Sequence, residues 1–436
     1  MSGHSHQSWG RWPRASQQVL PLYWPDDQLP ATGDLSLLPR GNGRSYGDVC
    51  LNDGGALLDC RQLNRFVSFD PEHGRLACEA GVLLGDIQRL TLPRGWMLSV
   101  SPGTQFVTVG GAIANDVHGK NHHRAGTFGR HVVSFELRRT DGSCLQCSPS
   151  ENPELFRATV GGLGLTGVIT RAEIQLKPVS GAYLDQQTVS FDHLDRFFEL
   201  AAEADRQHEY TVAWIDCLAR GPELGRGLLM TADHRDEANC SEPARRRLSV
   251  PFELPVSPVR SWSVRQFNRW YFNRQRRNAG RRRVHYQPFF YPLDAVGQWN
   301  RVYGRSGFYQ YQCVIPEGQA REAVSDILER VSDAGSGSFL AVLKRFGDLP
   351  SPGLLSFPMP GVTLALDFAN QGQRTLDLMD SLDQLTHAAG GRVNPSKDAR
   401  MSAAHFQQAY PGWKQLQGLA DPGLSSSFWR RVTVAP

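Results

Sequence analysis

Short apolar stretches separated by polar turns run through the first 180 residues. Residues 56–59, 76–80, 132–138 and 167–176 read as strands, bounded by turns at Asp53-Gly54, Glu72-His73-Gly74 and Asp141-Gly142. Residues 35–38 read as another short strand. Residues 82–92 carry a helical period that stops at Pro93-Arg94-Gly95, and Pro153 opens a second helix over 153–159. Lys177-Pro178 marks a boundary. Beyond it, 194–206 reads as an amphipathic helix and 210–216 as a strand. Then follow a strand (307–315), a helix (318–334), two strands (339–346 and 362–368) and a helix (376–389). Strand–helix–strand–strand–helix is a ferredoxin-like rhythm. The chain shows no sequence repeat and no low-complexity tract. The pattern predicts an α+β protein with one region up to about residue 179, a second over 180–390, and a tail from 391.

Composition narrows the class. The 436 residues are 40% apolar and 21% charged, as in ordinary globular chains. No window is apolar enough to predict a membrane span. The N-terminal stretch lacks the apolar core of a secretory signal, so a cytoplasmic setting is expected, with the eight cysteines reduced. Cys144-Leu-Gln-Cys147 follows a hairpin turn and has no second pair, so no metal is expected.

Net charge is only +4, but twelve arginines against one acid, Glu253, fall between residues 245 and 283. Phe252, Trp262, Phe267, Trp270, Tyr271 and Phe272 interleave with them. A basic, aromatic-bearing insert at about 240–285 suits an anionic membrane surface or an anionic lipid-linked substrate. A solvated, flexible insert is the other reading, and nucleic acid is not expected as a partner.

Three glycine clusters lie in the first 170 residues: Arg40-Gly41-Asn42-Gly43-Arg44-Ser45-Tyr46-Gly47-Asp48, Thr108-Val109-Gly110-Gly111-Ala112 and Gly161-Gly162-Leu163-Gly164 with Gly167. None is a Rossmann or Walker loop. Loops of this kind form backbone N–H nests that hold phosphate. Each stands beside a strand candidate, and together they predict one large dinucleotide across several loops. The second cluster runs into Asp116, His118, Lys120, His122, His123 and Arg124, costly as plain structure and well suited to a cofactor wall.

These residues resemble a known family. The 40–48 loop, Pro102-Gly103-Thr104 and Thr108 to Ala114 are similar to FAD-binding proteins of the vanillyl-alcohol-oxidase (PCMH) type. Within that type the chain most resembles the flavoprotein oxidase subunits of decaprenylphosphoryl-β-D-ribose 2-epimerases. His118 to His123, Ala158 to Gly162, Pro292-Leu293-Asp294, Gln310-Tyr311-Gln312 and Lys397-Asp398 carry the likeness, which extends from about Trp9 to Arg431.

The resemblance implies FAD in a first domain, 1–179, closed by the tail 391–436, and substrate in an antiparallel-sheet second domain, 180–390. It implies cofactor contacts from Arg40, Gly41, Asn42, Gly43, Arg44, Ser45, Tyr46 and Gly47. Further contacts come from Pro102, Gly103, Thr104, Thr108, Gly110, Gly111, Ala114, Asn115, His118, Gly119 and Asn121, then Gly162, Gly164, Gly167 and Ile169. Arg44 stands where covalently flavinylated relatives carry a histidine, so noncovalent FAD is expected. Lys397 is implied as base or as stabiliser of reduced flavin, with His118 and Tyr46 beside it. Lys120, Trp214, Phe290, Gln310, Gln312, Lys344, Phe346, Thr363 and Ala365 are implied for substrate. Ala365, Thr363 and Phe290 replace the family's cysteine, asparagine and tyrosine.

The implied reaction oxidises the 2-hydroxyl of a polyprenyl-phosphoryl ribose to a ketone. An NAD(P)H-dependent short-chain reductase partner then completes the epimerisation at the inner face of the cell membrane. The rivals are a soluble aldonolactone or polyol oxidase on the same fold and a non-catalytic flavin-bearing lipid-phosphate binding protein.

Overall fold

The computed structural model describes residues 6–241, 248–255 and 257–433; Arg245, Arg246 and Arg247 of the basic insert lie outside them. Three sheets organise the fold beside a two-stranded pairing. A parallel three-stranded sheet runs Gln18–Pro21, Ala56–Asp59, Leu37–Arg40. A second, antiparallel sheet runs Phe66–Asp70, Arg75–Glu79, Val168–Pro178, Val132–Arg138, Cys144–Cys147, with Trp96–Leu98 also on Val168–Pro178. The third is an eight-stranded antiparallel sheet built from Tyr183 onward. The chain is thus α+β, with most of its strands in antiparallel sheets, as the α+β reading of the sequence expects.

The large sheet holds the same topology twice. Strands Tyr183–Phe191, Tyr210–Ile215, Gly227–His234 and Gly280–His285 stand in the order fourth, first, third, second. Strands Phe308–Ile315, Val342–Phe346, Gly361–Ala369 and Arg392–Val393 repeat that order in mirror, and the two halves meet where Tyr210–Ile215 pairs with Val342–Phe346. The ferredoxin-like rhythm of the second half is therefore present in the first as well, without any repeat in sequence.

Alternation along these strands separates two faces. Tyr311, Cys313, Leu343, Leu364 and Leu366 are buried in the main core with helices Leu194–Gln207, Glu317–Ala334 and Gln373–Ala388. The opposite face carries Gln310, Gln312, Lys344, Ala365 and Asp367. Strand register sets Gln310 beside Asp367, Gln312 beside Ala365 and Lys344 beside Thr363. The polar face needs something other than a hydrophobic layer above it.

Part of the basic insert forms regular elements. Ser261–Arg277 is a helix and Gly280–His285 is an edge strand. The helix buries Val264, Asn268 and Phe272, one turn apart, and Phe272 packs on Trp214 and Leu228. Trp214 belongs to the polar face, so the helix lies over that side of the sheet.

The C-terminal tail returns to the first sheet. Leu37 accepts Ser425 N and donates to Gly423 O (2.8 Å). Arg431 pairs with Asp48 (2.7 Å) and Asp398 (3.0 Å), tying helix Ser427–Thr433 to the 40–48 loop and to the turn that carries Lys397.

Candidate active site

A cavity of about 990 Å³ lies between the glycine-rich loops and the polar face of the large sheet. One half is lined by residues 40–46, Pro102 to Thr108, Gly110, Gly111, Ala114, Asn115, Gly164, Gly167 and Ile169. The other half is lined by Trp214, Gln310, Gln312, Lys344, Ala365 and Asp367, with His118, Gly119, Lys120 and Lys397 at the join.

The loop half is built for an anion. Strand Leu37–Arg40 ends at Gly41, where a Cβ would overlap Thr108 Oγ1, and Gly43 holds φ +58°. Only glycine meets both demands without strain. Among the described residues, the N–H groups of Gly41 through Ser45 donate to no protein acceptor. The buried nitrogens Arg40 Nε and Arg44 Nε also lack partners. Buried polar groups are ordinarily satisfied, so this set of donors fits a phosphate-rich dinucleotide. Arg44 lies 4.1 Å over the Trp9 ring and 5.1 Å from the Phe106 ring, which holds its guanidinium in place.

The sheet half is rich in amines. Lys120 Nζ donates to Phe290 O (2.9 Å), and burial lowers its pKa to about 8 against the pull of Asp294. Lys397 Nζ sits 4.0 Å from the Tyr46 ring centre; burial lowers its pKa to about 8, opposed by Asp367. Burial, then the nearby Lys120 and Lys397, hold Lys344 well below the ordinary lysine range. Asp367 is raised by burial to about 7 and accepts Gln310 Nε2 (2.7 Å). His118, buried and facing Lys344, His122 and Lys397, is held well below the usual histidine range. Gln312 Nε2 stands 3.2 Å from His118 Nε2, and Lys344 Nζ 2.9 Å from His118 Nδ1.

Six residues expected at the site do not line the cavity. A Cβ at Gly47 would overlap Asp398 O, and one at Gly162 would overlap Ala158 O, so both glycines serve chain packing. Asn121 donates to Ser99 O (2.9 Å) inside the fold. Phe290 buries its ring against Tyr210 and lends only its carbonyl, to Lys120. Phe346 packs on His118 and His122 behind the wall. Thr363 sits behind Gln312, donating to Cys313 O (2.8 Å). Of the ionisable run from Asp116 to Arg124, only His118 and Lys120 reach the cavity. Asp116 accepts Gly129 N (2.8 Å), and His123 bonds His208 O (3.0 Å).

Other lining residues lie outside the set expected at the site. Asp367 occupies a cavity-facing position of an otherwise apolar strand, the same signal that marks Gln310 and Gln312. Asp294 accepts Thr104 Oγ1 (2.8 Å) and Gln105 N (2.9 Å), clamping the two halves together. Trp9, Phe106 and Asn394 also line the cavity and carry no motif.

Residues 29–148 match a family model described as "FAD binding domain". The chain is 36% identical over 424 residues to decaprenylphosphoryl-beta-D-ribose oxidase of Mycolicibacterium smegmatis, covering 92% of this chain and 90% of that protein. It is 35% identical over 369 residues to an uncharacterised Streptomyces coelicolor protein, covering 80% of this chain and all of the other. L-gulonolactone oxidase of Mus musculus matches at 34% over 140 residues, 32% of this chain and 31% of that enzyme.

Proposed function

The chain belongs to the family of FAD-dependent oxidases that includes decaprenylphosphoryl-beta-D-ribose oxidase, and from that premise we propose that it oxidises the 2-hydroxyl of a polyprenyl-phosphoryl-β-D-ribose to the 2-ketone. The observation that carries this reading is the polar sheet face of Gln310, Gln312, Lys344 and Asp367, facing Lys120 and Lys397 across one cavity. A sugar phosphate needs hydrogen-bond partners and positive charge together, and both are set there on rigid elements. The gulonolactone oxidase match covers 32% of the chain, whereas the likeness to the ribose oxidase spans the sheet as well.

Bound FAD supplies the two-electron oxidant. Residues 41–45 would hold its pyrophosphate by backbone N–H groups, with Arg40 and Arg44 supplying charge. Arg44 offers no nucleophile for a flavin bond, so the cofactor is held noncovalently. Lys397 places positive charge near Tyr46, where reduced, anionic flavin would gain most from it. Gln310 faces the sugar hydroxyls, and Lys120 meets the phosphate. Trp214 walls the pocket, and Ala365 leaves it without a thiol.

Supporting a membrane setting, helix Ser261–Arg277 exposes Trp262 (70%) and Trp270 (53%) among its arginines, with Leu248 (65%) and Phe252 (64%) exposed nearby in sequence. Leu248 and Tyr271 also line the cavity, giving a lipid tail an apolar exit. Among the described residues, no helix is long and apolar enough to cross a membrane. The protein is peripheral on the inner face of the cell membrane, and its ketone passes to a separate NAD(P)H-dependent short-chain reductase.

The test is product identification by mass spectrometry after incubation with farnesyl-phosphoryl ribose, with ribonolactone and galactonolactone in parallel. Loss of two hydrogens from the lipid-linked sugar alone supports the reading. Turnover of a free lactone overturns it.

A further inference from the structure

The chain holds forty-two arginines but only five lysines, at 120, 177, 344, 397 and 414. Three of the five line the cavity. Arginine keeps its proton under all ordinary conditions, whereas a buried lysine sheds it readily. Amines placed where guanidiniums are the rule point to a site that needs a proton to move.

Hydrogen bonds fix which amine is neutral. Ser396 N donates to Asn394 Oδ1 (3.0 Å), so Asn394 must present its NH2 elsewhere, and it donates to Gln312 Oε1 (3.0 Å). Thr363 spends its hydroxyl proton on Cys313 O (2.8 Å), so its oxygen accepts from Gln312 Nε2 (3.2 Å). Both anchors orient the Gln312 amide the same way, with its NH2 toward His118 Nε2 (3.2 Å). His118 Nε2 therefore accepts, and the neutral imidazole carries its proton on Nδ1. That Nδ1–H faces Lys344 Nζ, 2.9 Å away, with Gly119 O beside both groups. Two donors cannot share the contact, so Nζ presents a lone pair.

We infer that Lys344 is held as a neutral amine by the chain Ser396–Asn394–Gln312–His118, and that it accepts the proton of the substrate hydroxyl. The assignment rests on the reaction proposed above. Lys344 also donates to Gly119 O (3.0 Å), which fixes the amine at the wall. The charged groups acting on it are all cationic or neutral: Lys120 and Lys397 in the cavity, and His118 and His122 on the segment above. Asp367 acts on Lys397 instead and keeps that amine the cation of the pair. An ammonium at 344 would demand reversal of both amides and would forfeit the Ser396 bond.

In the proposed step the Nζ lone pair swings from His118 to the substrate. The O–H bond breaks and its proton bonds to Nζ. With FAD bound as the oxidant, the C–H electron pair would leave as hydride while the C=O bond forms. The new ammonium faces the His118 Nδ1–H, is disfavoured there, and releases its proton to solvent as the ketone departs.

With five lysines, selective 15N-lysine labelling of the FAD-loaded protein gives five side-chain signals, and Lys344→Met or Lys344→Arg identifies the one sought. Without substrate at neutral pH, Lys344 is expected at the amine position. An ammonium signal from Lys344 overturns the inference. Gln312→Glu supplies an acceptor to His118 Nε2, turns the imidazole's proton around, and is expected to move the Lys344 signal to the ammonium position. The acid limb of the kcat profile then moves up by at least about one pH unit, whereas an unmoved signal and limb overturn the relay. Because the signal is read without substrate, its failure is separable from failure of the product test.

Discussion

Lys397→Met should make the protein more stable and nearly inactive, with a gain in stability that depends on pH. The ammonium sits inside the cavity, and burial lowers its pKa from 10.5 to about 8. At about 1.36 kcal/mol per pKa unit, holding it charged costs at most about 3 kcal/mol, less whatever cavity water screens. A lysine whose folded pKa is depressed is destabilising below that pKa, and the penalty fades as pH rises toward the unfolded value. Stability of the parent thus gains on the variant between about pH 8 and 10.5. Unfolding entropy of about 2 cal/mol/K per residue over 436 residues converts 3 kcal/mol to about 3 °C. Differential scanning fluorimetry near neutral pH should show a rise of at most about 3 °C, falling below about 1 °C near pH 10. Turnover should fall by about 100-fold or more, as on losing an oriented charge near a reacting centre. A variant less stable than its parent near pH 7, or a shift independent of pH, would refute a buried, charged Lys397.

Heat denaturation followed by filtration should release the flavin into the filtrate, because Arg44 cannot form the covalent link. Gly41→Ala should lower the ratio of flavin to protein absorbance several-fold, since its Cβ displaces Thr108, whose hydroxyl caps helix Val109–Ala114. KM for a phosphorylated substrate should rise above about pH 8 as Lys120, lowered to about 8, loses charge. Trp262→Asp with Trp270→Asp should abolish sedimentation with anionic phosphatidylglycerol vesicles and leave flavin content unchanged.

Much of this arrangement is legible in the chain. Strands at 56–59 and 132–138 and the helix from Leu194 stand where apolar period and turn residues place them. Gln310 and Gln312 announce a polar face because they alternate with core residues. Asp367 gives the same signal, yet a single carboxylate in an apolar strand reads as a surface position until its neighbours are known. Strand Tyr183–Phe191 is hidden because Gln186 and Thr188 occupy buried positions and break the apolar alternation. The arginines of Ser261–Arg277 mask its helical period, since only Val264, Asn268 and Phe272 are buried. Phe346 and Thr363 share the cavity-facing parity of their strands but stand behind His118 and Gln312. Side-chain depth, unlike parity, depends on contacts distant in sequence.

The most direct test is the anaerobic half-reaction with lipid-linked ribose carrying deuterium at C2. The account predicts bleaching of the flavin band, slower by several-fold than with the protonated sugar, and none with free lactones. Bleaching by a free lactone, or no bleaching by the lipid-linked ribose in flavin-loaded protein, would contradict it.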